Sequence, residues 1–162
     1  KGLDILLPAL ENILKKEKMQ LVVLGTGQKE YEEAFISLSN KYPEKVSVKI
    51  TFDAGLAQRI YAGSDFFLMP SKFEPCGLGQ MIAMRYGSIP VVRSTGGLKD
   101  TVKNNKTGLV FNKYNKKELE KVLLKAIKVY KKRNKLIKNC MLTDFSWERS
   151  AQQYLKLYNK II

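Results

Sequence analysis

Short apolar runs alternate along this chain with longer stretches whose apolar residues recur every three or four positions. That alternation constrains the fold more than any other feature. Residues 20–24, the alternating Val46, Val48 and Ile50, the run Phe66–Met69, and residues 89–92 and 108–111 read as strands. Between them, Leu3, Leu6, Leu7, Leu10, Ile13 and Leu14 mark a helix. Residues 29–41, 56–61 and 78–86 mark three more, the last ended by Gly87. Strands that alternate with helices form a parallel sheet covered by helices on both faces. The expected class is therefore α/β, with one domain over residues 1–162. A chain that opens on a helix leads us to expect a further strand before it.

The last third reads as helical. Asn115 and Glu118 have capping-box spacing, and Leu119, Val122, Leu123, Ala126, Ile127 and Tyr130 follow as an apolar stripe. A second helix begins near Ser146 and is expected to turn Trp147, Ala151, Tyr154, Leu155 and Tyr158 inward. The same region is basic: much of the net charge of +14 follows Val102, including Lys117, Lys121, Lys125 and Lys128. Such a stretch is either a nucleic-acid reader or a solvated helix face. Lysines without interleaved aromatics or a reader motif favour the solvated face.

Several chemistries drop out early. There is no histidine, which excludes His-activated nucleophiles and His-ligated zinc within these residues. The two cysteines, Cys76 and Cys140, are too few for a disulfide framework and read as reduced thiols. No apolar run nears the roughly 20 residues a membrane span needs. No leader pattern is visible in the opening residues, so the expected location is cytoplasmic. No phosphate loop of the G-x-x-x-x-G-K-[ST] type occurs, and Gly25-Thr26-Gly27 lacks the third glycine of a dinucleotide fingerprint.

Parallel sheets bind ligands beyond the carboxyl ends of their strands, so the loops after Leu24, Ile50, Met69 and Val92 are expected to line one crevice. Two of these loops are unusual. Residues 71–87, S-K-F-E-P-C-G-L-G-Q-M-I-A-M-R-Y-G, join a strand to a helix. Gly77 and Gly79 permit close backbone approach there, and the helix start offers free N–H groups. Glu74 just ahead can accept hydrogen bonds from sugar hydroxyls or simply cap the helix. The second loop carries Thr95-Gly96-Gly97, where paired glycines allow another close approach.

Together these strings resemble a known family. K-G-L-D at Lys1, F-E-P-C-G-L at Phe73, M-R-Y-G at Met84, T-G-G-L-x-D-T-V at Thr95 and D-F-S-W at Asp144 resemble bacterial glycogen synthases and plant starch synthases, in order along the whole chain. The resemblance implies the Rossmann-like C-terminal half of a GT-B glycosyltransferase. It further implies an N-terminal acceptor domain, and a first strand, outside these residues. The implied reaction is transfer of glucose from ADP-glucose, or UDP-glucose, to the non-reducing end of an α-1,4-glucan, with retention and without metal or other cofactor. For a plant protein the location would be the plastid.

Residue by residue, the resemblance implies that Lys1 faces the donor diphosphate and Glu74 lies beside the glucose. Cys76, Gly77 and Leu78 contact sugar and phosphate through backbone groups. Gly25, Thr26, Gly27, Thr95, Gly96 and Gly97 complete the donor pocket. Phe52 stands where the family often has Tyr beside the adenine, or else it belongs to the core. Gly79 stands where many members carry a side chain. The expected partners are the nucleotide sugar, the glucan and the N-terminal domain, with no specific nucleic acid and no membrane. A different retaining transferase using a UDP-sugar, or a non-catalytic carbohydrate- or nucleic-acid-binding module, are the alternative readings.

Overall fold

The computed structural model describes residues 1–161. In chain order the elements are α1 (Leu3–Lys16), β1 (Leu21–Leu24), α2 (Lys29–Lys41), β2 (Val46–Lys49), α3 (Ala54–Gly63), β3 (Phe66–Met69) and α4 (Gly79–Arg85). There follow β4 (Ile89–Arg93), α5 (Gly96–Thr101), β5 (Leu109–Phe111), α6 (Lys116–Val129), α7 (Asn134–Met141) and α8 (Trp147–Tyr158). Alternating β and α units appear where the periodicities place them. The short helices α5 and α7 were not anticipated. The first begins on two glycines, and the second is only eight residues long, too short for its apolar Leu136, Ile137, Cys140 and Met141 to show a repeat.

Every strand pairing is parallel, but the strands form two hydrogen-bonded sheets rather than the single one expected. β1 pairs with β2, Leu21 facing Val46; β3, β4 and β5 form the other sheet, Phe66 facing Ile89 and Val91 facing Leu109. The flanks of β1 and β3 that would join the sheets carry no ladder among the described residues. The consequence is visible in burial. β4, paired on both sides, is buried from Ile89 to Val92, whereas β3 is only half-buried throughout and Val22 of β1 is half-exposed.

Helices cover two faces. On one, α1 and α6 share a core in which Leu6, Leu10, Ile13 and Leu14 meet Leu119, Val122 and Leu123 above Val46, Val91 and Leu109. That core touches both sheets, since Leu21 and Val23 of β1 and Phe66 and Leu68 of β3 pack against it. On the other face Met84, Leu98, Val102 and Cys140, from α4, α5, the chain just after it and α7, close over Ile89 and Val92. Burial pushes the Cys140 thiol up to about 11. The alternation of Val91 and Val92 between the two cores is the strand period of two.

Caps fix the helix starts. Asp53 accepts from Leu56 N at 2.8 Å, Asn115 from Glu118 N at 2.9 Å and Ser146 from Arg149 N at 3.2 Å. The capping box expected at Asn115 is half-formed, because Asn115 N donates to Lys113 O instead. Tyr130 leaves the α6 stripe for a short 3-10 turn, where the Arg133 guanidinium lies 3.9 Å above its ring.

A further expectation is overturned. The aromatic stripe of α8 does not turn inward. Trp147 is 85% exposed, Tyr154, Leu155 and Tyr158 are all exposed, and no α8 residue is buried. A period of 3.6 says that a helix has an apolar face, not which body covers it. Among the described residues no helix is long and apolar enough to cross a membrane.

Candidate functional site

The site is built where the chain returns on itself at the end of β3. α1 starts against that end so closely that a Cβ on Gly2, at φ +81°, would lie 2.2 Å from Pro70 O. This contact sets Lys1 beside residue 74. Lys1 Nζ donates to Glu74 Oε2 at 2.7 Å, joining residues 73 apart in sequence. The pair is lopsided: the lysine side chain is 71% exposed and the glutamate 10%. Ser71 Oγ stands 3.4 Å from the same carboxylate oxygen.

The loop after β4 backs onto this one through bare backbone. Gly97 N donates to Glu74 O and Pro75 O, both at 3.1 Å. A Cβ on Gly96, at φ +41°, would sit 2.0 Å from Glu74 O, and one on Gly97 would sit 2.1 Å from Cys76 O. The close approach that the paired glycines make is thus to the neighbouring loop of their own chain. Thr95 precedes α5 in an extended conformation, without a side-chain cap. Gly77, at φ +75°, stands against Gln80 and Glu74 in the same way.

Side chains not singled out in the sequence complete the arrangement. Arg93, the last residue of β4, donates through Nε to Ser71 O at 2.7 Å and through its terminal nitrogen to Lys72 O. It therefore clamps the start of the loop. Its guanidinium lies 5.4 Å from the Tyr114 ring, with Lys72 Nζ 5.8 Å away. Burial, with the hydrogen bond to Asp4, pushes the Tyr114 hydroxyl up to about 12. Gln80, wholly buried, donates to Gly77 O at 2.7 Å, to Cys76 O at 3.3 Å and to Thr101 Oγ1 at 3.0 Å. The sequence signal for Arg93 is its position: a charged residue at the carboxyl end of an otherwise buried strand.

Lys1, Glu74, Cys76, Gly77, Thr95, Gly96 and Gly97 thus come together. Leu78, 65% exposed, follows Gly77 as the residue that opens α4. A Cβ on Gly79 would meet the Phe67 ring at 3.0 Å, so the aromatic fills the space a side chain would use. Gly25, Thr26 and Gly27 and the exposed Phe52 leave the carboxyl ends of β1 and β2, and no hydrogen bond links them to Glu74 or Lys1. A Cβ on Gly25 or Gly27 would meet nothing within 4 Å. Phe52 is 90% exposed, so the alternative that it belongs to the core falls.

The basic face on α6 is solvated. Lys117, Lys121 and Lys128 are exposed, while Lys116 pairs with Glu120 at 3.7 Å and Lys125 reaches Asn105 Oδ1.

A family model described as glycosyl transferases group 1 matches residues 1–141. The glycogen synthase of Kosmotoga olearia is 54% identical over the whole of this chain, which spans 36% of that protein. The glycogen synthase of Petrotoga mobilis is 52% identical over 98% of the chain, which spans 35% of it. Among solved structures, the catalytic domain of Arabidopsis thaliana starch synthase IV bound to ADP and acarbose superposes with a TM-score of 0.85. Its identity is 35%, over 99% of this chain and 36% of that one.

Proposed function

The chain belongs to the group 1 glycosyl transferases, and on that premise we propose that it is the donor-binding part of a glycogen or starch synthase. The observation that carries the reading is the Lys1–Glu74 pair, which a contact between the start of α1 and the end of β3 holds where the 74–79 loop packs on the 95–97 turn. The names of the relatives support the choice of reaction, and the ADP and acarbose in the starch synthase IV structure support the choice of substrates.

The reaction is a transfer of glucose from ADP-glucose, or UDP-glucose, to the non-reducing end of an α-1,4-glucan. The bond from glucose C1 to the diphosphate oxygen breaks and one from C1 to the acceptor oxygen forms. The acceptor proton passes to the departing phosphate, and the nucleoside diphosphate leaves. Negative charge grows on the diphosphate as it departs. Lys1, on an exposed side chain, can leave Glu74 and meet that charge, and no metal is needed. Glu74 is held by its own loop at a fixed place, where a carboxylate favours positive charge developing at C1. Backbone groups of Cys76, Gly77, Leu78 and Gly79 orient the sugar, those of residues 25–27 and 95–97 line the donor pocket, and Phe52 stacks on the adenine.

The remainder of the active site lies on an N-terminal domain of the same polypeptide, which supplies the acceptor contacts. The exposed stripe of α8 faces that domain, and a strand ahead of Lys1 runs between β1 and β3 and joins the two sheets. The placement of Gly2 against Pro70 supports this, because a parallel strand ending at Lys1 would end beside β3 and cross over to β1 through α1 in the usual right-handed sense. The location is the cytoplasm.

The test is direct. Full-length protein should transfer labelled glucose from ADP-glucose to glycogen, while residues 1–162 alone should bind ADP and transfer nothing. Titration with ADP, UDP, maltooligosaccharide and RNA separates the readings. Tight, sequence-selective RNA binding at physiological salt, or transfer from a UDP-sugar to a different acceptor, would overturn the assignment. The α6 lysines should give only weak, salt-labile RNA binding.

A further inference from the structure

Gln80 has no place in the scheme above, yet it is wholly buried and bonds both to the loop that carries Glu74 and to Thr101 of α5. Its Nε2 faces three acceptors: Gly77 O, Cys76 O and Thr101 Oγ1. Thr101 in turn donates to Gly97 O at 2.6 Å, and Gly97 N donates to Glu74 O and Pro75 O. The bonds close a ring: from the loop that carries Glu74, through Gln80 and Thr101, to Gly97, and back to Glu74.

The other end of the amide is the unusual part. Gln80 Oε1 is buried and has no hydrogen-bond partner. A buried carbonyl left unpaired is costly, and proteins keep few of them. Reversing the amide would not relieve it, since the oxygen would then face two backbone carbonyls. Oε1 instead lies where a Cβ on Gly77 would come within 2.6 Å, in the space that the absence of a side chain at residue 77 leaves open. The glutamine lies flat against the bend that aims Gly77 and Leu78, and only glycine at 77 admits it.

We propose that Gln80 is a positioning residue, which through Thr101 locks the 74–79 loop to the 95–97 turn and so holds Glu74 and the neighbouring backbone in their working geometry. The inference rests on the reading of these loops as part of the nucleotide-sugar site. A helix-packing glutamine would be satisfied by bonds within α4, whereas all three acceptors here lie outside that helix.

The experiment uses the full-length enzyme with Gln80→Leu, Thr101→Val and Thr101→Ser, each assayed well below its melting temperature. Gln80→Leu should lower kcat on the order of 10-fold to 10²-fold, because small misplacements of a reacting geometry carry losses of that size. Thr101→Val should shift kcat in the same direction by less, and Thr101→Ser, which keeps the hydroxyl, should restore it. Combined with Glu74→Gln, Gln80→Leu should add little further loss, since both act at one place. Amide exchange at Gly97 should speed at least about 10-fold in Gln80→Leu and in Thr101→Val, a readout that needs no turnover. Normal kcat and KM in Gln80→Leu, or unchanged exchange at Gly97, or losses that multiply fully with Glu74→Gln, would overturn the proposal. Failure of the functional reading shows elsewhere, as absence of glucose transfer by the unmutated protein, and leaves the exchange result to judge Gln80.

Discussion

Two glycine-containing turns look alike on paper and differ in space. Gly25-Thr26-Gly27, after β1, stands open: added Cβ atoms at its glycines would meet nothing within 4 Å. Thr95-Gly96-Gly97, after β4, is jammed against its neighbour: Cβ atoms added at Gly96 and Gly97 would lie 2.0 Å from Glu74 O and 2.1 Å from Cys76 O. One turn uses glycine to leave room, the other to use room up. The jammed turn belongs to rigid framework that holds Glu74, and the open one is free for whatever approaches from solvent.

The sharpest way to break that contrast is Gly97→Ala. The new methyl cannot coexist with the Cys76 carbonyl, so the loops must part. We expect a loss of about 3 kcal/mol or more, the upper range for overpacking, with turnover lost as well. Melting and activity of the full-length variant check it, and a near-normal Tm would dissolve the distinction between the turns. Glu74→Gln comes next. It keeps the shape of the loop and removes the charge, so kcat in the full-length enzyme should fall on the order of 10²–10³-fold with ADP affinity nearly intact. A lower Tm with turnover kept would make Glu74 a structural residue.

Phe52→Ala probes the open side. The ring is 90% exposed, so the melting temperature should hold, while ADP binding should weaken about 10-fold if a base stacks there. Unchanged ADP affinity by calorimetry would take Phe52 out of the donor site. Gly27→Ala should be the mildest. Stability should change by no more than about 0.5 kcal/mol, any loss falling on the donor KM alone. A drop of several degrees in Tm would show that the open turn is framework after all.

Much of the framework was legible in the sequence because burial and periodicity are local properties. Phe66–Met69 and the run around Val91 read as strands, and Leu6, Leu10, Ile13 and Leu14 read as one helix face. The loop 71–87 stood out by its composition. What was not legible depends on groups far apart in sequence. No periodicity tells where a sheet divides, so the break between β1 and β3 came as a finding. The α8 stripe was readable as apolar, but its exposure depends on what else is present. Arg93 and Gln80 act through backbone carbonyls across the site, and a carbonyl leaves no mark in a sequence. The T-G-G turn read as glycines that let the backbone approach a ligand; the approach it makes here is to Glu74 and Cys76 of its own chain, which no local pattern announces.

The pairing of α1 with α6 has a consequence in time as well as in space. Asn12 bonds to Glu120 and Asp4 to Tyr114, contacts more than 100 residues apart, and the cores of the two helices interlock. Closing so long a loop is entropically expensive and slow compared with joining neighbours along the chain. During synthesis α1 can meet Phe35, Leu38 and Val46 early, but the side that packs on α6 must wait until residues near Ala126 leave the ribosome. β3, β4 and β5, adjacent in sequence and in the sheet, can condense in the meantime. Lys1 meets Glu74 only where the start of α1 docks against Pro70, so the proposed donor site depends on that helix being seated.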